Sequence, residues 1–151
     1  RFATENTLYI SLLVARAWSE NLNRFDELFD IQSKTSRERE WGYKFPTDEL
    51  RAEALGAVQS YFESVGCKAL SKMANGYDLE ATMMRTGIPF DVSVDTKIEN
   101  GWVQVCQRTS QSENGLARWE AVSGDAEIAA DAKAQIARIV RDFGAGDEYQ
   151  G

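Results

Sequence analysis

The stretch that decides the fold is VSVDTKIENGWVQV, Val92–Val105. Apolar and polar residues alternate on both sides of Asn100-Gly101, which is typical of strands with one buried face. Asn-Gly is the strongest short-range signal of a two-residue hairpin turn, because both residues tolerate positive φ. Pairing across this turn sets Ile98 opposite Val103, so register and hydrophobic pattern agree. The sequence therefore predicts an antiparallel hairpin here.

Two further Asn-Gly pairs extend this pattern into a meander of short strands. Asn75-Gly76 precedes one alternating segment, and Asn114-Gly115 precedes another that carries Trp119. The predicted strands lie near 67–74, 77–85, 90–99, 102–110 and 116–122.

Helical patterns lie before and after these strands. Residues 4–31 repeat apolar side chains at steps of three and four, which predicts either one long helix or a break near Ser19–Asn23 with a second helix over 23–31. A second helical pattern follows Thr47, a natural N-cap, and stops at Gly66.

A last helix begins after the cap Asp125 and stops at Gly144. Segments of helix, then strand, then helix predict an α+β fold, in which an antiparallel β-meander of four or five strands packs with two or three N-terminal helices and one C-terminal helix. The length of 151 residues fits a single domain over 1–151. Residues 32–46 lack a helical stripe and are expected to form an exposed loop, and residues 147–151 a frayed tail.

The charge balance restricts the partners. There are 17 basic and 24 acidic residues, for a net charge of −7. Such a surface repels nucleic acid and anionic lipid, so nucleic acid is an unlikely ligand and a larger protein with a basic surface is the expected partner. No run reaches the roughly 18–20 apolar residues of a membrane span. We expect no membrane association, no cofactor and a cytoplasmic location.

The histidine and cysteine content limits the catalytic and metal-binding chemistry that this chain can carry out. The sequence has no histidine, which excludes Ser-His-Asp and Cys-His catalysis and histidine-ligated zinc. Cys67 and Cys106 form no C-x-x-C pair. They are expected to be two reduced, partly buried thiols, and a disulfide between them is the alternative.

Basic and aromatic residues alternate within 32–46. Arg37 and Arg39 precede Trp41 and Tyr43, and arginine and aromatics are the residues enriched at protein interfaces. Trp102 lies on the strand face opposite the apolar side chains and is a further candidate. These five residues form the predicted partner-binding set, whereas the alternative is that the aromatics only attach the loop to the domain.

One short motif points to catalysis instead. Asp95-Thr96-Lys97 on a predicted strand resembles the second half of the PD-(D/E)xK nuclease motif. The resemblance implies that Asp78 and Asp95 hold a divalent metal, that Lys97 supports the attacking water, and that Glu53 or Glu63 supplies a helical carboxylate. The alternative is an i,i+2 charge pair on a solvated strand.

Two functions thus follow from the sequence. The first is a small acidic, non-catalytic protein-binding module, acting as an inhibitor, immunity or adaptor protein that occupies a surface of a larger partner. The second is a divalent-metal-dependent phosphodiesterase that uses Asp78, Asp95 and Lys97.

Overall fold

The structure is a computed structural model that describes residues 7–72, 76–90, 97–110 and 112–150. The chain divides into two compact units, Arg1–Lys34 and Thr35–Gly151. Within these described ranges, no helix has both the length and the apolar character that crossing a membrane requires. The α+β domain is the second unit.

The first unit is a pair of helices, α1 (Thr7–Glu20) and α2 (Leu22–Ser33). Asn21 separates them: its side-chain amide donates to the Ala17 carbonyl at 3.0 Å. Its own carbonyl accepts from the Phe25 amide at 3.2 Å, which starts α2. Asparagine competes with the helical backbone for hydrogen bonds. Of the two alternatives that the sequence left open, one long helix or a break near Ser19–Asn23, the structure has the break.

The second unit is a six-stranded antiparallel sheet with two helices, which confirms the α+β prediction. The sheet order is β2-β3-β4-β5-β1-β6, so β2 to β5 form a meander and β1 returns beside β5. The elements are β1 (Ser36–Lys44), α3 (Asp48–Ser64), β2 (Lys68–Lys72), β3 (Asp78–Thr86), β4 (Val103–Thr109), β5 (Leu116–Ser123), α4 (Ala126–Arg141) and β6 (Glu148–Gln150).

Both helices of this unit begin at the caps that the sequence predicts. The Thr47 hydroxyl accepts from the Leu50 amide at 3.2 Å, and the Asp125 carboxylate accepts from the Glu127 amide at 2.8 Å. The caps satisfy amides that have no partner inside the first turn of a helix. The helices pack on one face of the sheet and bury Ala54, Val58, Phe62, Ala129, Ala132, Ile136 and Val140.

The core lies between this helical layer and the sheet. Its largest buried side chains from the strands are Trp41, Met84 and Trp119. Two polar side chains are also buried, Gln107 and Ser123. The Gln107 amide donates to the Leu55 carbonyl at 3.1 Å and accepts from the Trp119 indole N–H at 3.2 Å. These two bonds offset the cost of burying an amide.

The predicted pairing of 90–99 with 102–110 is wrong. In the sheet, Val105 of β4 pairs with Met84 of β3 on one side and with Ala121 of β5 on the other. A strand has two hydrogen-bonding edges, so none remains for 90–99. Residues 91–96 lie outside the described residues, and 97–99 are not in a strand. Gly101 keeps the turn conformation, with φ +78.

The predicted loop at 32–46 is also wrong, because most of it is β1, paired with β5 along its length. The prediction of a frayed tail fails as well, since β6 pairs with residues 41–43 of β1. The alternation along β1 reverses at a bulge between Glu38 and Trp41. A bulge places two residues opposite one and exchanges the faces that follow it, which hides the strand pattern.

Gly42 fixes the close approach of β1 to β5. A Cβ at this position would lie 2.6 Å from the Ala117 carbonyl oxygen, closer than van der Waals contact allows. Glycine is therefore needed where the two backbones meet.

Candidate functional site

Trp41 and Tyr43 are core residues. Their side chains are 1% and 6% exposed, and the Tyr43 ring lies 6.0 Å from that of Trp119. The Tyr43 hydroxyl donates to Glu148 at 3.2 Å, and burial, with that carboxylate, raises the pKa of Tyr43 to about 12. Neither aromatic side chain offers a surface to a partner, so the contact role expected of them is corrected: they hold β1 in the core.

Arg37 and Arg39 are exposed on the first half of β1. Arg37 donates to Glu120 on β5 at 2.7 Å. Because β6 covers only residues 41–43, the other edge of 36–40 has no strand beside it among the described residues. Both arginines remain predicted contact residues, on an open strand edge.

Trp102 is half-buried at the end of the sheet. A Cβ on Gly124 would lie 2.9 Å from its indole nitrogen, and one on Gly87 would lie 2.8 Å from its Cα. Its carbonyl accepts from the buried Ser123 hydroxyl at 2.7 Å. The indole thus lies against Gly124 and the backbone of Trp102 against Gly87, and part of the residue remains available for contact.

The residues of the nuclease-like motif are not brought together where they are described. Asp78 begins β3, where it accepts from the Glu80 amide at 2.8 Å. Lys97 lines a cavity with Arg85 near the other end of that strand, about 20 Å away at roughly 3.3 Å per residue. Asp95 lies outside the described residues, so a metal shared by Asp78 and Asp95 stays a prediction. Within the described ranges, no three Cys, Asp or Glu side chains are grouped to hold a metal ion.

The sheet face away from α3 and α4 carries a network of ion pairs. Glu40 accepts from Arg108 and, at 2.8 Å, from Arg118, which also reaches Glu113 at 3.3 Å. The hydrogen bond from Arg108, with that from Arg118, lowers the pKa of Glu40 against the opposing effect of burial. Arg118 also lies over the Tyr149 ring, 5.6 Å from its centroid. Of the alternating charges of 36–40, Arg37 and Glu40 bind neighbouring strands of the sheet, whereas Glu38 binds Lys133 of α4 at 3.6 Å.

Cys67 and Cys106 are both free thiols. Cys67 is buried and Cys106 lies on β4 beside Glu120 of β5. Burial raises the pKa of both thiols, and the Glu120 charge adds to the effect at Cys106. Each is predominantly protonated near neutral pH, which makes it a weak nucleophile.

The sequence interpretation missed an apolar surface on α1 and α2. Residues with a helical period were assumed to face a core, yet large apolar side chains of this unit are 46% to 61% exposed. Their unusual density in α1, with few charges between them, was the available signal. They are Tyr9, Ile10, Leu12, Leu13, Val14, Trp18, Leu22 and Phe29.

The sequence interpretation also missed a basic cavity of about 670 Å³ at the end of β2 and β3. The basic residues that line it are far apart in sequence, so only the pairing of β2 with β3 reveals them. Its lining includes Lys68, Arg85, Ile88, Phe90, Lys97 and Glu99.

Comparison with protein families, with curated proteins and with solved structures gave no match for this chain. A proposal about its function therefore rests on the surfaces described above.

Proposed function

We propose that this chain is a non-catalytic protein-binding module that occupies a surface of a larger partner, with α1 and α2 as its docking element. The observation that supports this most directly is that eight large apolar side chains described on the two helices are each about half exposed. Inhibitors, immunity proteins and adaptors act in this way, by covering a surface and breaking no covalent bond.

The size of this apolar surface is that of an interface. At about 150–250 Å² for a whole aromatic side chain, the exposed halves of Tyr9, Trp18 and Phe29 alone amount to about 300 Å², and five aliphatic side chains add to this area. The largest apolar patch of a typical monomer is about 300–600 Å², and a stable interface buries about 800 Å² on each partner. Leaving this area in water costs free energy, which a docked partner would recover.

The distribution around α1 also favours a partner. A helix on a protein surface normally has one polar side. Exposed apolar residues in α1 point in several directions, as Ile10, Leu12 and Leu13 do at steps of about 100° per residue. Its charged side chains described here, Arg16 and Glu20, bind each other at 2.9 Å. The described charges of α1 are therefore internally compensated.

The chemistry of α2 indicates what the partner carries. Trp18 of α1 stacks on Phe25 and meets Phe29 edge-on, both at 6.0 Å between ring centroids. Asp26 and Asp30 are exposed beside Phe29, and Asp30 also binds Lys34. Together with the net charge of −7, this favours a partner with an apolar groove bordered by lysine or arginine.

A photo-crosslinking experiment in the native host tests the proposal. A benzophenone amino acid replaces Tyr9, which is exposed in the apolar surface, and in the matched control it replaces Val65, which is equally exposed on the other unit. We expect one dominant heterologous adduct from position 9 and none of it from position 65. Excess unlabelled chain competes for the adduct, and excess Leu12→Ser/Leu13→Ser chain does not.

Three results would contradict the proposal. They are equal adducts from both positions, undiminished competition by the double-serine variant, and an adduct that consists only of a second copy of this chain. Circular dichroism of the double-serine variant, which changes exposed side chains only, checks that α1 is retained.

A further inference from the structure

We propose that the cavity at the end of β2 and β3 binds a small organic dianion of the phosphate-monoester class, held by Lys68, Arg85 and Lys97 against the ring of Phe90. This site is built from residues of the second unit, whereas α1 and α2 form the first. Its volume of about 670 Å³ is within the range of roughly 300–1,000 Å³ that small-molecule sites occupy.

The charge of the cavity is opposite to that of the chain. Among its described lining residues are three cationic side chains and one carboxylate, Glu99, whereas the whole chain carries −7. Asp91 and Asp95, which follow Phe90 in sequence, lie outside the described residues. A local charge of +2 matches a phosphate monoester, which carries about −1.5 to −2 at pH 7.

The fold places two of these cations side by side. Lys68 of β2 and Arg85 of β3 are direct partners in the antiparallel register. Like charges directly opposite each other destabilise a sheet. Neither side chain forms an ion pair with a described residue. An anion bound between them would therefore reduce the repulsion between their charges.

Arg85 is held in position by neutral groups. Its Nε donates to the Gln104 side-chain oxygen at 2.6 Å, and its Nη1 donates to the Pro89 carbonyl at 3.2 Å. The guanidinium lies 5.0 Å from the centroid of the Phe90 ring. These contacts fix the position of the Arg85 guanidinium without neutralising its charge, which is what a preorganised anion receptor requires.

A backbone hydrogen bond positions the third cation, Lys97. The Glu99 amide donates to the Gly87 carbonyl at 3.0 Å, which attaches the segment 97–99 to the turn after β3. Lys97 is thereby placed on the same cavity as Arg85. Ile88 and Phe90 give this cavity an apolar wall, which favours an ester with an apolar or aromatic group over the free anion.

Nuclear magnetic resonance titration of the ¹⁵N-labelled chain with phenyl phosphate tests the site. We expect saturable shifts at the amides of Gly66 and Gly87, which line the cavity, with phenyl phosphate up to about 10 mM. Inorganic phosphate should bind several-fold more weakly, because it has no group to contact the apolar wall.

Charge-removing variants make the test specific. Lys97→Gln, at an exposed position, should weaken phenyl phosphate binding about tenfold. Lys72→Gln is the matched control, because Lys72 is exposed on β2 and does not line the cavity. The proposal is overturned if wild type shows no saturable shift at these glycines, if Lys72→Gln weakens binding as much as Lys97→Gln, or if both phosphates bind equally.

Discussion

Replacement of Trp41 by alanine distinguishes a core role for this residue from a contact role. The side chain is 1% exposed, and its ring lies 5.1 Å from the Lys133 ammonium. Removing a buried indole leaves a cavity and loses its apolar transfer free energy, which together cost about 3–5 kcal/mol. A domain of this size is stable by only about 5–15 kcal/mol, so the variant should lose a large part of its stability.

The assay is urea unfolding followed by far-ultraviolet circular dichroism. We expect a marked fall in the denaturant midpoint for Trp41→Ala and a smaller fall for Trp41→Phe. Phenylalanine keeps part of the ring packing and removes an indole N–H that has no hydrogen-bond partner among the described residues. Arg39→Ala, at an exposed position of the same strand, serves as control and should change stability by about 0.5 kcal/mol or less.

If Trp41→Ala kept the wild-type midpoint and lost only the capture of a partner, Trp41 would be a contact residue. The packing of β1 against β5 described here would then be incorrect.

Two further predictions concern ionisable groups. Glu40→Gln should destabilise the domain near neutral pH. Because arginine contacts lower the folded-state pKa of Glu40, its stabilisation is present above the unfolded pKa of about 4.3 and is lost as pH falls through the folded value. The difference in unfolding free energy between wild type and variant should shrink below that pH, and a constant difference would contradict the assignment. Cys67 and Cys106 should react slowly with iodoacetamide at pH 7.5, since their pKa values are raised, and quickly in urea. Mass spectrometry measures both rates, and rapid labelling of the folded chain would show that the thiols are accessible.

The helices could be predicted from sequence because their signals are local. Thr47 and Asp125 mark helix starts through hydrogen bonds within one turn, and the apolar spacing of α3 and α4 lies on one face. The break at Asn21 has the same local origin. These features need no knowledge of distant residues.

The strand order could not be predicted in the same way, because it depends on which segments compete for an edge. Val103 and Val105 do form a strand, yet β3 takes the edge that Ile98 was expected to occupy. β1 was missed because its bulge reverses the alternation between Arg37 and Trp41. The alternation of Trp41, Tyr43 and Phe45 was the remaining signal.

The two candidate sites also differ in whether their signals are local in the sequence or depend on strand pairing. The density of apolar residues in α1 is visible in the sequence, although its exposure is not. The basic cavity is invisible, because Lys68, Arg85 and Lys97 meet only through the register of β2 and β3 and the backbone bond at Gly87.

The bulge in β1 holds one residue more than the strand that faces it. Glu38 pairs with Ala121 and Trp41 pairs with Trp119, so Arg39 and Glu40 together lie opposite the single residue Glu120. The side chains of Glu38 and Trp41 therefore lie on the same face of the sheet, where the Lys133 ammonium of α4 contacts both. Deletion of Arg39 would turn the segment into a regular strand and leave the register on either side unchanged, so this is the point of β1 at which a change in length is best tolerated.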